Sequence, residues 1–249
     1  MDFFALTIFP GMFEAFAAHG IIRRALESGR ISMTPVNIRD YAAGRHRETD
    51  DRPYGGGSGM VMKPEPLAAA IKDARVRCPE ARTVLLSPRG PRFDQDAARK
   101  YAGCKGLIFV CGRYEGLDER ICDSHIDDEI SIGDYVLTGG ELAAMVVMDA
   151  VVRHIPGTLG AEDAAEYDSF SDQRLEHPHY TRPRVFEGRA VPDVLLSGNH
   201  REIENWRMES ALLQTLIRRP DLAENTGLTK QEKQVLKKWC RYLESLVSE

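Results

Sequence analysis

The chain is poor in several features that would fix its class quickly. Its 249 residues include five cysteines (Cys78, Cys104, Cys111, Cys122, Cys240), odd in number and scattered, with no CxxC pair. That counts against a disulfide scaffold and a cysteine-based zinc site, and fits a reducing cytosol. Positive charge is in deficit: 33 Lys and Arg stand against 38 Asp and Glu, a formal net charge of -5. A global basic field for non-specific nucleic-acid binding is therefore not expected, and an RNA partner would need local patches. Long apolar runs are missing too. The N-terminal MDFFALTIFP carries Asp2 and no basic n-region, so it does not read as a signal peptide. The most apolar helical stretch, Leu142 to Val152, is interrupted by Asp149 and is too short to span a bilayer. A soluble, cytoplasmic protein without membrane contact is the expectation. There is no internal repeat. Neither a GxGxxG after a strand nor a GxxxxGK[ST] occurs, so Rossmann dinucleotide and P-loop readings lack their fingerprints.

What the chain does have is a dense glycine loop. Residues 51–60 read DRPYGGGSGM, four glycines among five positions, preceded by Asp50 and followed by Val61-Met62. Glycine tolerates positive φ and lets a backbone approach a ligand closely, at a cost in conformational entropy. A flexible linker is the plain alternative. The flanking Arg45-His46-Arg47 and Met60-Val61-Met62 favour a loop that cradles a phosphate or a base.

With 43% hydrophobic residues, the chain can bury the core of one large or two modest domains. Residues 1–155 alternate β-rich runs with helical patterns. Strands are expected at Phe3–Phe9, Ser32–Ile38, Thr83–Ser87, Gly106–Cys111 and Asp127–Ile132. Helices are expected at Gly11–Glu27, Pro66–Arg77, Asp94–Tyr101 (with Asp94 as cap) and Glu141–His154. Continuous apolar strands separated by helices predict an α/β fold with a parallel sheet covered on both faces. Ligands of such sheets bind beyond the carboxyl ends of the strands. Three successive strands end in loops at Ser87, Gly112 and Gly133, which should surround one pocket. After Pro156-Gly157 the composition shifts: an acidic stretch, then a loop-like 177–191, then helices at Arg201–Arg218 and Thr229–Val247.

Together these pieces resemble the bacterial tRNA (guanine-N1)-methyltransferases (the TrmD family of the SPOUT superfamily), which modify the guanosine 3′ of the anticodon. The resemblance rests on HRETDDRPYGGGSGM at 46–60, LLSPRG at 85–90, VCGRYEGLDER at 110–120, SIGDYVLTGGE at 131–141, IPGTLG at 155–160, HYTRP at 179–183 and SGNHREIENWR at 197–207. It implies an S-adenosylmethionine-binding α/β domain over 1–160 that threads a deep trefoil knot. An acidic flexible linker over 161–172 and a small all-α tRNA-binding domain over 173–249 follow. It also implies tRNA as partner, a homodimer with the active site at the subunit interface, and a use of Mg2+ whose site the sequence does not place. Cofactor contacts carry over to Leu86, Ser87, Pro88, Gly112, Glu115, Ile132, Gly133, Asp134, Tyr135, Val136, Leu137, Gly139 and Gly140. Glu115 alternatively caps the next helix. Substrate contacts carry over to Asp50, Arg52, Gly59, Asn199 and His200. Two departures are visible: Glu176 stands where the family more often has aspartate, and Ala143 where it often has proline.

The implied reaction sets a chemical problem. N1 of neutral guanine carries a proton, so a general base must remove it, and charge then builds on O6. By resemblance Asp168 is the base and Arg153 the cation near O6. An acid in an acidic linker is ordinarily solvated, and an arginine at a helix end ordinarily meets the last carbonyls. His177-Pro178-His179 offers two metal-binding rings, but no cysteine or carboxylate set at ligand spacing, so no metal site is expected there. Lys230, Lys233, Lys237, Lys238 and Arg241 bias the last helix positive, as a solvated face or a phosphate contact. The rivals are a different nucleotide-binding α/β enzyme and a catalytically inactive RNA-binding homologue.

Overall fold

Strand β1 (Asp2–Thr7) is apolar on both faces and lies second from one edge of a five-stranded, all-parallel sheet, ordered β2 (Ser32–Asn37), β1, β6 (Gly106–Val110), β5 (Arg82–Leu86) and β7 (Asp128–Ile130). A computed structural model describes residues 1–160, 165 and 168–247 of the chain. Along the chain, β1 leads through helices α1 (Gly11–Ala17) and α2 (Gly20–Glu27) to β2 (Ser32–Asn37). Two short strands follow, β3 (Asp50–Asp51) and β4 (Val61–Met62), which bracket the glycine loop as an antiparallel pair. Then come α3 (Pro64–Arg77), β5 (Arg82–Leu86), α4 (Gln95–Ala102), β6 (Gly106–Val110), α5 (Glu119–His125), β7 (Asp128–Ile130) and α6 (Glu141–Val152).

Alternation along the strands builds two cores, one per face. Phe3, Ala5, Val84, Leu86, Leu107 and Phe109 face α1, α2, α4 and α6. Phe4, Leu6, Leu85, Ile108 and Val110 face α3 and α5. Strand β6 is wholly buried, which is why its sequence GLIFV shows no polar alternation. Asp94 caps α4 through its side chain, accepting from the Ala97 amide at 2.8 Å.

The chain divides into two compact units, Met1–Glu162 and Asp163–Glu249. The second contains a two-stranded hairpin, β8 (Val185–Phe186) with β9 (Arg189–Ala190), and helices α7 (His200–Arg218), α8 (Pro220–Thr226) and α9 (Lys230–Val247). Its buried centre is an ion pair: Arg174 Nε donates to Glu232 Oε1 at 2.7 Å, while its other nitrogens reach Thr226 Oγ1 and the Gly227 carbonyl, both at 2.7 Å.

Several expectations need correcting. The helix expected over Gly11–Glu27 is two helices, because Gly20 takes φ +63° and breaks the run at its start. The stretch 177–191 is not all loop, since Gly188 at φ +76° turns the β8–β9 hairpin, so the second unit is not purely α-helical. Helix α8 has too few residues for its periodicity to stand out from α7. Of the expected acidic connector, residues 161–164, 166 and 167 lie outside the described residues.

Candidate active site

The carboxyl ends of β5, β6 and β7 carry three loops that enclose one cavity of about 420 Å³. That volume falls within the roughly 300–1,000 Å³ of small-molecule sites. Ser87 and Pro88 come from the first loop, Gly112 and Glu115 from the second, and Ile132, Gly133, Tyr135, Val136, Leu137, Gly139 and Gly140 from the third. Leu86, the last residue of β5, also lines it. The exception is Asp134, which is not among the lining residues; its carboxylate meets Arg92 Nη2 at 2.6 Å and is largely exposed.

Short backbone bonds hold the loops in register. The Ser87 amide donates to the Ile130 carbonyl at 3.0 Å, and the Gly140 amide to the Gly112 carbonyl at 2.9 Å. Gly140 has no room for a side chain: a Cβ there would lie 2.8 Å from Cys111 Cα and 3.1 Å from the Gly112 nitrogen. Beneath the loops sits Glu141, fully buried at the start of α6. Its Oε1 accepts from Thr7 Oγ1 at 2.7 Å and from Arg113 Nε at 3.1 Å, and Oε2 lies 2.9 Å from Arg113 Nη2. Arg113 also donates to the Thr138 carbonyl at 3.1 Å and stacks its guanidinium 4.6 Å above the Phe9 ring. One arginine thus ties the second loop to the third, and Thr7 ties both to the end of β1. Burial, with the Glu141 carboxylate beside it, holds the Cys111 thiol well above its ordinary range, so this sulfur stays protonated under the pocket.

The glycine loop closes on the second of these loops. The Met62 amide donates to the Gly116 carbonyl at 2.9 Å, the Glu115 amide to the Met60 carbonyl at 3.0 Å, and the Asp118 amide to the Met62 carbonyl at 3.1 Å. Gly59 lies so close to the Glu115 carboxyl group that any side chain would collide with it. Gly55, Gly56, Gly57 and Gly59 all have positive φ, between +81° and +125°, which accounts for the glycine density as backbone geometry rather than linker flexibility. Asp50 pairs with Met62 across β3 and β4, and Arg52 is exposed, its amide donating to Asp51 Oδ1 at 2.7 Å. Glu115 is not the cap of α5: Asp118 is, accepting from the Arg120 amide at 3.0 Å.

The family model for tRNA (Guanine-1)-methyltransferase TrmD matches residues 1–225. The chain belongs to that family.

Its relatives agree along nearly their whole length. A "tRNA (guanine-N(1)-)-methyltransferase" of Desulfatibacillum aliphaticivorans is 58% identical over 247 residues, 99% of this chain and 94% of the relative. Proteins of the same name from Geobacter sulfurreducens and Listeria monocytogenes are 58% and 50% identical, each over 236 residues, with 96% of each relative covered.

The remaining expected residues of this TrmD-family chain are placed as follows. Arg153 closes the C-terminal end of α6, its amide 3.4 Å from the Asp149 carbonyl. Asp168 lies in a bend of the second unit, and its carbonyl accepts from the Ser171 amide at 3.1 Å. Asn199 caps α7, its side chain accepting from the Glu202 amide at 3.4 Å, and His200 is the exposed first residue of that helix. Trp206 is only half-buried. Two features escaped the sequence. Arg113 and Glu141 stand inside the two glycine-rich motifs, where a first-turn acid reads as an ordinary helix-start residue. Among the described residues, one group of three metal-ligating side chains converges, Glu176, His177 and His179, so a carboxylate does accompany the histidine pair. Two imidazoles and one carboxylate do not suit magnesium, which takes oxygen ligands.

Proposed function

We propose that this chain transfers a methyl group from S-adenosylmethionine to N1 of the guanosine immediately 3′ of the anticodon, position 37 of tRNA. The observation that carries this reading is the convergence of the Ser87, Gly112 and Gly133–Gly140 loops on one cavity in a TrmD-family chain, with the glycine loop at 55–59 docked beside it. The donor set suits the cofactor. Leu86, Ile132, Leu137 and Ala143 offer apolar walls to an adenine ring, and Glu115 offers a carboxylate to the cationic end. When bound, S-adenosylmethionine supplies an electrophilic methyl group on sulfur, so the protein has only to prepare the nucleophile.

Asp168 takes the N1 proton of guanine at a carboxylate oxygen, which frees the ring-nitrogen lone pair. Arg153 places a guanidinium where charge accumulates on O6. Asp50, Arg52 and Gly59 contact the guanosine and its phosphate, and Asn199 and His200 contact the tRNA from the second unit. Asn199 does this from a backbone-capping position that fixes its side chain. The site is completed between two copies of the chain, and the polypeptide around the 131–140 segment passes through a trefoil knot. The enzyme works in the cytoplasm; separately, none of the described helices is long and apolar enough to cross a membrane.

The experiment is incubation with methyl-labelled S-adenosylmethionine and two tRNA transcripts, one with guanosine and one with adenosine 3′ of the anticodon. Label should enter only the first and be recovered as 1-methylguanosine. Label in neither, with cofactor binding intact by calorimetry, would refute the substrate assignment.

A further inference from the structure

In the second unit, the segment from Glu176 to Tyr180 gathers side chains that suit a borderline divalent metal. One ligand atom from each of Glu176, His177 and His179 lies within 4.8 Å of the other two. Glu176 and His177 are partly buried and His179 is exposed, so protein holds one side of the group and solvent reaches the other. The two rings lie 4.6 Å apart, centroid to centroid.

Two details go beyond clustering. His177 Nδ1 lies 3.2 Å from the Pro178 carbonyl oxygen. A carbonyl can only accept, so this ring carries a proton on Nδ1, and in the neutral tautomer its lone pair sits on Nε2. A backbone carbonyl on the far nitrogen is the arrangement that orients metal-binding imidazoles. His179 Nε2 lies 2.8 Å from Glu176 Oε1, a distance at which one proton sits between them and which a cation can take over. The segment also starts from a fixed point. The Glu176 amide donates to Ser169 Oγ at 3.0 Å, the Leu175 amide to Thr215 Oγ1 at 2.9 Å, and Arg174 is locked by Glu232.

We propose that Glu176, His177 and His179 form a binding site for a divalent transition ion of the zinc type, with water in the remaining position. Imidazole and carboxylate together suit such ions, and three protein ligands leave a tetrahedral position open. Metal–ligand bonds of about 2.0–2.2 Å set ligand–ligand edges near ~3.3 Å in a tetrahedron. The Glu176–His179 pair must therefore open by about half an ångström while the widest separation closes, which torsions of exposed side chains accommodate. On binding, the His179 proton leaves Nε2 and Nδ1 takes one from solvent, so the ring stays neutral. The ion would fix the loop beside Trp206, whose ring is 6.2 Å from that of His177.

The test titrates Zn2+ into the full chain carrying Cys240→Ser, which removes the exposed thiol as a competing ligand. One ion per chain should bind by calorimetry. His177→Ala, His179→Ala and Glu176→Gln should each weaken it by more than about tenfold, since loss of an outer partner alone costs roughly 10–100-fold. His125→Ala should leave it unchanged. Co2+ added to the otherwise unaltered chain should develop the visible bands of tetrahedral coordination and quench tryptophan emission, with both effects reversed by Zn2+. That second readout holds even where a variant fails to fold. Absence of Zn2+ binding, or binding that survives in the double histidine variant, would overturn the proposal.

Discussion

Single residues decide whether this protein reacts and whether its loops hold. Asp168→Ala should abolish methyl transfer while S-adenosylmethionine binding by calorimetry is retained, because a base acts on guanine and not on the cofactor; near-wild-type turnover would remove Asp168 from the mechanism. Glu141→Gln makes a different demand. It leaves the Arg113 guanidinium, only 16% exposed, without its anion. Losing one partner of such a pair costs on the order of 3 kcal/mol. Urea unfolding should register that loss, and cofactor affinity should fall with it because Arg113 ties the lining loops together. In the second unit Glu232 titrates below its ordinary 4.5: burial pushes it up, and hydrogen bonds from Arg174 and Thr229 pull it further down. A carboxylate with a lowered folded pKa stabilises fully above the unfolded value, and that contribution disappears as pH falls through the folded one. Acid unfolding of Glu232→Gln should therefore show a shallower pH dependence below about pH 4.5 than the parent, with lower stability at neutral pH.

Elements are where sequence and structure can be compared most directly, and glycine is the sharpest probe. Gly140→Ala places a methyl group against backbone, 2.8 Å from Cys111 Cα, where nothing can rotate away. It should destabilise by about 1–3 kcal/mol and weaken S-adenosylmethionine binding. Gly103→Ala, at the end of α4 with φ -79° and its nearest neighbour at 3.4 Å, should be tolerated in both assays. The same contrast shows what could be read in advance. The buried strands, the capped α4 and the three loops around the cavity are written in short-range pattern: apolar runs, Asp94, glycines just past strand ends. The break at Gly20, the hairpin at Gly188 and the Glu176–His177–His179 group are not, because each depends on a torsion or a rotamer that composition leaves open. Glu141 was hidden for another reason. It stands in the first turn of its helix, where an acid is ordinary, and its partner Arg113 lies 28 positions earlier, so only the folded chain reveals that the acid points inward.

At the scale of the whole molecule, charge is the controlling quantity. A chain of formal charge -5 must hold tRNA through local patches. Lys233, Lys237 and Lys238 of α9 are exposed, and on the function proposed above they are the lysines to test as such a patch. Affinity for tRNA should fall linearly with salt on logarithmic axes, and each Lys→Ala at 233 or 237 should reduce the slope by about 1; an unchanged slope would assign those lysines to solvent. The buried Glu141 also has a bearing on how the molecule is made. Thr7 and Glu141 are 134 residues apart, and Arg113 lies between them in sequence. On a ribosome adding roughly 5–20 residues per second, the end of β1 waits on the order of ten seconds for its acidic partner. For the final 28 residues of that wait the nascent chain carries an arginine loop with no counter-charge beneath it, so the cavity closes only once α6 has emerged.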